Sequence, residues 1–104
     1  MSDLRIVLSN CSPAEAPALA RTLVTERLAA CVNVLASVTS HYRWEGELHA
    51  DEESTLLIKT TASRYPQLEA RLRELHSYDL PEIIALTPTD ALADYAAWVD
   101  EETS

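Results

Sequence analysis

The chain has 104 residues, 8 Lys and Arg against 17 Asp and Glu, and a formal net charge of −9. That length bounds it at one domain with a modest core, and 47% hydrophobic against 24% charged residues excludes a disordered tail. The few, scattered basic residues argue against a nucleic-acid groove and against an anionic membrane surface, both of which call for clustered Lys and Arg.

Leu4 to Asn10 reads as a short strand, with Ile6 and Leu8 on one face and Val7 on the other. Ser12 and Glu15 fit a capping box, but Pro17 would fall past the first turn, which moves the predicted helix start towards Pro17. Leu19, Leu23, Val24 and Leu28 then recur at helical spacing, and the helix is expected to end around Ala30. A long strand follows, from about Val32 to Trp44, in which Val32, Val34, Ala36, Val38, Tyr42 and Trp44 share one parity and predict one greasy face. Glu45 and Gly46 supply a two-residue turn, and Glu47 onward returns as a partner strand ending in Leu56 to Thr60. A bulge or solvated bend is expected at the acidic triplet Asp51, Glu52 and Glu53.

Ser63 is the predicted cap of a second helix, with Tyr65, Leu68, Leu72 and Leu75 along one side, closing at His76 before Pro81. Glu82 to Thr87 is a fourth strand. Thr89 or Asp90 caps a last helix whose buried stripe is Leu92, Tyr95, Trp98 and Val99. The order predicts an α+β fold over 1–104, a ferredoxin-like βαββαβ antiparallel sheet, strand order 4-1-3-2, with a long central hairpin and an extra C-terminal helix.

A strand of ~13 residues extends ~43 Å, whereas a helix of that length covers only ~20 Å. The far half of the hairpin must therefore project past the helices, yet it carries Tyr42 and Trp44. Assembly would shelter these rings; the alternative is a terminal helix folded back so that Trp98 stacks on Trp44.

The single glycine, Gly46, excludes phosphate-cradling loops, dinucleotide fingerprints and nucleophile elbows. No Cys-x-x-Cys or His-x-x-x-His pair specifies a local metal site, and the turn register puts His41 and His49 on opposite faces. His76 ends the second helix near Tyr78 and Glu82, where it serves either as a dipole-favoured C-terminal imidazole or as a ligand at a subunit cleft. Cys11, just before the Ser12 helix start, is expected to be an exposed thiol and the more reactive one; Cys31 is expected to be packed. Lys59 is expected in an intersubunit ion pair. No nucleophile, base and oxyanion donor can be placed together, so the chain is not expected to be an enzyme. An amino terminus without a basic region leading into an apolar stretch predicts a cytoplasmic protein.

The run Glu26 to Asn33, the hairpin tip Tyr42 to Gly46, the segment Leu57 to Thr61 and the segment Tyr78 to Ile84 resemble the CutA-type divalent-cation tolerance family, in the right order and spacing from about Leu4 to Val99. The resemblance implies a ferredoxin-like homotrimer linked to tolerance of copper and other divalent metals. Some members carry a cysteine on the first strand and a histidine pair at the end of the second helix as copper ligands. The corresponding positions here are Leu8, Leu75 and His76, so one of the three donors is kept. The expected function is weak divalent metal binding, Cu or Zn, by His76 and Glu82 at intersubunit clefts. The alternatives are a PII-like trimeric small-molecule sensor and a structural anchoring trimer; self-association and metal ions are the expected partners.

Overall fold

Alternating burial along the first strand, β1 (Leu4–Cys11), sends Val7, Ser9 and Cys11 inward and leaves Ile6 and Leu8 on the other side, as a half-covered strand requires. The structure is a computed structural model that describes residues 3–104. Its elements continue as α1 (Ala16–Thr25), β2 (Cys31–Trp44), β3 (Glu47–Thr61), α2 (Tyr65–Leu75), β4 (Ile84–Leu86) and α3 (Ala93–Glu102). The strands form one antiparallel sheet in the order β2-β3-β1-β4, which is the predicted α+β arrangement. Leu19 and Leu23 of α1 and Leu68 and Leu72 of α2 close over Val7, Cys11, Leu56 and Ile58 to make the core.

The start of α1 follows the local chemistry. Pro17 sits in its first turn, Ser12 Oγ donates to Glu15 Oε2 at 2.7 Å, and the Glu15 N–H donates back to Ser12 Oγ at 3.3 Å. Its end does not reach Ala30. Arg27 takes the left-handed conformation, φ 60°, and the chain closes a Schellman motif: the Arg27 N–H donates to the Val24 carbonyl and the Leu28 N–H to the Leu23 carbonyl. Leu28 is buried beyond it, and the sequence gives no warning because the position usually taken by glycine is an arginine. Arg71 then ties α2 to this corner, donating from Nε and Nη2 to the Glu26 carboxylate at 2.9 Å each.

Two further caps differ from expectation. Ser63 lies before the first turn of α2 and its N-cap is Arg64, whose N–H donates to Thr61 Oγ1 at 3.3 Å. Neither Thr89 nor Asp90 caps α3: Leu92, with extended backbone, is its N-cap and the helix begins at Ala93, anchored near its other end by buried Val99 and Thr103. Leu92 is exposed and Tyr95 and Trp98 are only partly covered, so the buried stripe narrows to Val99. The fourth strand shrinks from six expected residues to Ile84–Leu86, because only these pair with β1.

The bulge falls on β2 instead of at the acidic triplet. Pairing runs from Leu35 opposite Thr55 to Val38 opposite Glu53, so Ala36 and Ser37 together oppose one residue of β3, and Ser37 has φ 60°. An extra residue inverts the faces of everything beyond it. Val32 and Val34 therefore lie on the side of α1 and α2 with Ile58 and Leu56, while Val38, Tyr42 and Trp44 lie on the opposite side; the single greasy face read from parity is two half-faces. The side opposite α1 and α2 gathers Ile6, Leu8, Leu35, Leu57, Ile84 and Leu86.

At the tip, Glu45 and Gly46 both have positive φ, 50° and 81°, as a type I′ hairpin turn demands. The helices, ten or eleven residues long, extend about 15 to 17 Å, so β2 and β3 run well past them as expected. α3 does not cover the tip. Its C-terminal end is held at the other end of the sheet, where Arg64 Nε donates to the Thr103 carbonyl at 2.6 Å, and Trp98 packs against Tyr95 with ring centroids 5.6 Å apart.

Candidate functional site

Where β1 ends and the hairpin carries on alone, the loop between α2 and β4 turns back over the sheet. Residue types fix that loop: Pro81 bars helix, and the paired stretch starts only at Ile84, so Tyr78, Asp79 and Glu82 are left on irregular backbone facing the hairpin. Between loop and hairpin lies a cleft of about 580 Å³. Asn10 of β1, Glu53 of β3 and Ser40, His41, Tyr42 and Trp44 of β2 form one wall; Tyr78, Asp79, Leu80 and Glu82 form the other.

Behind the cleft a hydrogen-bonded network joins four elements. His76, the C-cap that follows α2, has its side chain fully buried. Its Nδ1 accepts the Tyr78 N–H at 3.2 Å, and its Nε2 lies 2.8 Å from the Asn10 carbonyl. A nitrogen that accepts an N–H carries no proton, and a carbonyl needs a donor, so the ring is the neutral Nε2–H tautomer. Glu15 Oε1 stands 3.9 Å from Nδ1, and Oε2 accepts the hydroxyls of Ser12 and Ser77 at 2.7 and 2.6 Å. Burial raises the Glu15 pKa, but the hydrogen bonds from Ser77 and Ser12 outweigh it and leave the carboxyl below its ordinary value. Tyr78, ring-packed on His76 at 4.7 Å, donates its hydroxyl to Glu53 Oε2 at 2.6 Å; burial and this bond raise its pKa.

Both residues expected as ligands are therefore at this place, Glu82 on the cleft wall and His76 behind it, engaged at both nitrogens. They do not form a donor cluster: among the described residues no three His, Cys, Asp or Glu groups converge to hold a metal. The donor set of one chain thus does not fit a resident ion. His41 and His49 sit on opposite faces, as the turn register requires; Tyr42 stacks on His49 with centroids 5.2 Å apart and its hydroxyl donates to Asp51. Lys59 donates to Asn33 and has no carboxylate partner among the described residues.

The acidic triplet is not a uniform solvated rim. Asp51 and Glu52 are exposed, but Glu53 is only 7% exposed. Sequence reasoning missed its role because the β2 bulge opposite it and the return of the Tyr78 loop are both long-range events. The thiol expectation is also corrected: Cys11 is fully buried, and Cys31 is half-buried on the side opposite α1 and α2, in line with Lys59 and Ile6. Burial first, and then the charges of Glu15 and Glu53, push the Cys11 pKa up to about 11. In a Cys31→Ser background, Ellman's reagent at pH 8 is expected to leave Cys11 unmodified until the protein is denatured. Because the folded pKa is raised, this thiol's contribution to stability is present below its unfolded value and is lost as pH rises towards 11.

Comparison with known proteins places this geometry. The family described as CutA1 divalent ion tolerance protein matches residues 5–102. The "Divalent-cation tolerance protein CutA" of Thermus thermophilus is 47% identical over 85 residues, covering 82% of each chain. The crystal structure of CutA from Xylella fastidiosa superposes with a TM-score of 0.95 at 40% identity, covering 99% of this chain and 100% of that one. The "PII-like protein CutA from Nostoc sp. PCC 7120 in apo form" superposes at 0.92 with 36% identity, covering 96% and 97%. The chain spans about half the length, 47 and 48%, of the curated Arabidopsis thaliana and Homo sapiens relatives that it matches.

Proposed function

The chain belongs to the CutA1 divalent ion tolerance protein family, and from that membership we propose that it acts in the cytoplasm as a non-catalytic homotrimer whose intersubunit clefts capture divalent cations, copper or zinc, weakly. The observation that carries the reading is the sheet face opposite α1 and α2. Leu35, Ile84 and Leu86 are each exposed in the single chain, and they lie on the same side as Ile6, Leu8 and Leu57. A side of a sheet this apolar is ordinarily covered, and a second and third copy of the same surface would cover it with closed symmetry. The projecting hairpin, with Tyr42 and Trp44 on that side, would reach a neighbouring subunit.

Metal capture follows as a weak interaction. One subunit offers the Glu82 carboxylate at the cleft, and His76 can ligate only by giving up one of its two ring hydrogen bonds, that of Nδ1 with the Tyr78 N–H or that of Nε2 with the Asn10 carbonyl. Donors from a neighbouring subunit would have to complete the shell. Light scattering across a dilution series is expected to give three times the chain mass, and calorimetry with Cu(II) and Zn(II) a low-affinity isotherm weakened roughly tenfold by Glu82→Gln. Single-chain mass at every dilution would overturn the assembly. Heats unchanged by both Glu82→Gln and His76→Asn would remove these residues from the metal reading. The likeness to the Nostoc PII-like protein supports a second reading, a trimeric small-molecule sensor built on the same cleft.

A further inference from the structure

We propose that the cleft between the hairpin and the Tyr78 loop is a binding site for a small organic cation, an alkylated or quaternary ammonium, held by Glu53 and by aromatic faces. The proposal rests on the small-molecule reading of this cleft, names the class of its ligand, and requires neither copper nor His76. Four observations converge on it. The space, about 580 Å³, is the size of a small-molecule site and far more than a bare ion needs. Its walls include three aromatic rings, Tyr42, Trp44 and Tyr78, which give a metal poor ligands but give an organic cation the π faces it prefers. Its charge is of one sign: Glu53, Asp79 and Glu82 line it, and no Lys or Arg among the described residues does, which disfavours phosphates and carboxylates as ligands.

The fourth is Glu53 itself. The residue is 7% exposed on the cleft wall and its Oε2 accepts the Tyr78 hydroxyl. Among the described residues no Lys, Arg or His lies within ion-pair distance of it. A largely buried carboxylate with no cation beside it attracts one, and the cleft can supply it. The rings are held ready: Tyr78 is braced by His76 and Tyr42 by His49 and Asp51, so a ligand meets a site whose walls are already ordered.

The test uses the intact protein with EDTA present, so that metal binding cannot contribute and the two readings fail separately. Tetramethylammonium is titrated at constant ionic strength, with its neutral near-isostere tert-butanol in parallel. The readouts are calorimetry and Trp44 fluorescence in a Trp98→Phe background. The expected result is saturable binding of the cation, with tert-butanol at least roughly tenfold weaker and Glu53→Gln and Trp44→Leu each weakening it about tenfold. Equal binding of the neutral compound, or no saturable response at millimolar cation, would overturn the proposal. So would loss of the native mass in Glu53→Gln by light scattering, which would assign that carboxylate to a subunit contact instead.

Discussion

Leu35→Glu is expected to convert the assembly into folded single chains. Leu35 is 45% exposed in the isolated chain, next to the β2 bulge and on the side opposite α1 and α2, so a glutamate there reaches water and leaves the core untouched. In the proposed trimer the same carboxylate would be desolvated among apolar side chains, at a cost of roughly several kcal/mol for each copy. Three copies would lie in one such assembly, so the penalties would compound, and the mass by light scattering should fall to that of one chain at micromolar concentration. Circular dichroism should remain that of the native fold. A trimer that survives the substitution would show that this side of the sheet is not where the subunits meet.

Leu72→Ala should have the largest effect on stability. Leu72 is 0% exposed, on the inner side of α2 within the cluster formed by Leu23, Leu68, Leu56 and Ile58. Truncation removes its burial and leaves a cavity the surrounding helices and sheet only partly close, costing about 2 to 5 kcal/mol. At roughly 4 to 8 °C per kcal/mol for a domain of this size, the melting temperature should drop by roughly 8 to 40 °C when wild type and variant are compared at one protein concentration. Leu48→Ala is the control, because Leu48 is 77% exposed on the hairpin and should change stability by less than about 0.5 kcal/mol. Equal losses from the two substitutions would contradict the placement of the core.

These two expectations draw on different levels of the molecule. The identity of the core was legible in the chain: Leu19, Leu23, Leu68 and Leu72 fall at helical spacing, Leu56 and Ile58 at strand spacing, and each is buried. The hairpin was legible from Glu45 and Gly46 because a type I′ turn needs two positive φ angles and this is the chain's single glycine. The strand order followed from the succession of elements, and the excess length of the hairpin from counting residues against helix rise. Each of these is a short-range rule applied along one segment.

What the tertiary structure alone decided begins at Ser37. A bulge is an unpaired residue, so it is defined only against the partner strand, and period-two counting along β2 cannot detect it. It moved Tyr42 and Trp44 onto the side opposite α1 and α2 and so set the aromatic wall of the cleft. Glu53 belongs to an acidic triplet that reads as solvated; only the return of Tyr78 from 25 residues downstream buries it. Cys11 precedes a helix start that could lower its pKa, yet the core closes over it and Glu15 and Glu53 stand nearby, which raises the pKa instead. In every such case the deciding partner is remote in sequence. Periodicity, caps and turns fix the elements because their energies are local, whereas burial and electrostatics at the site depend on which remote groups the packed sheet and loop bring together.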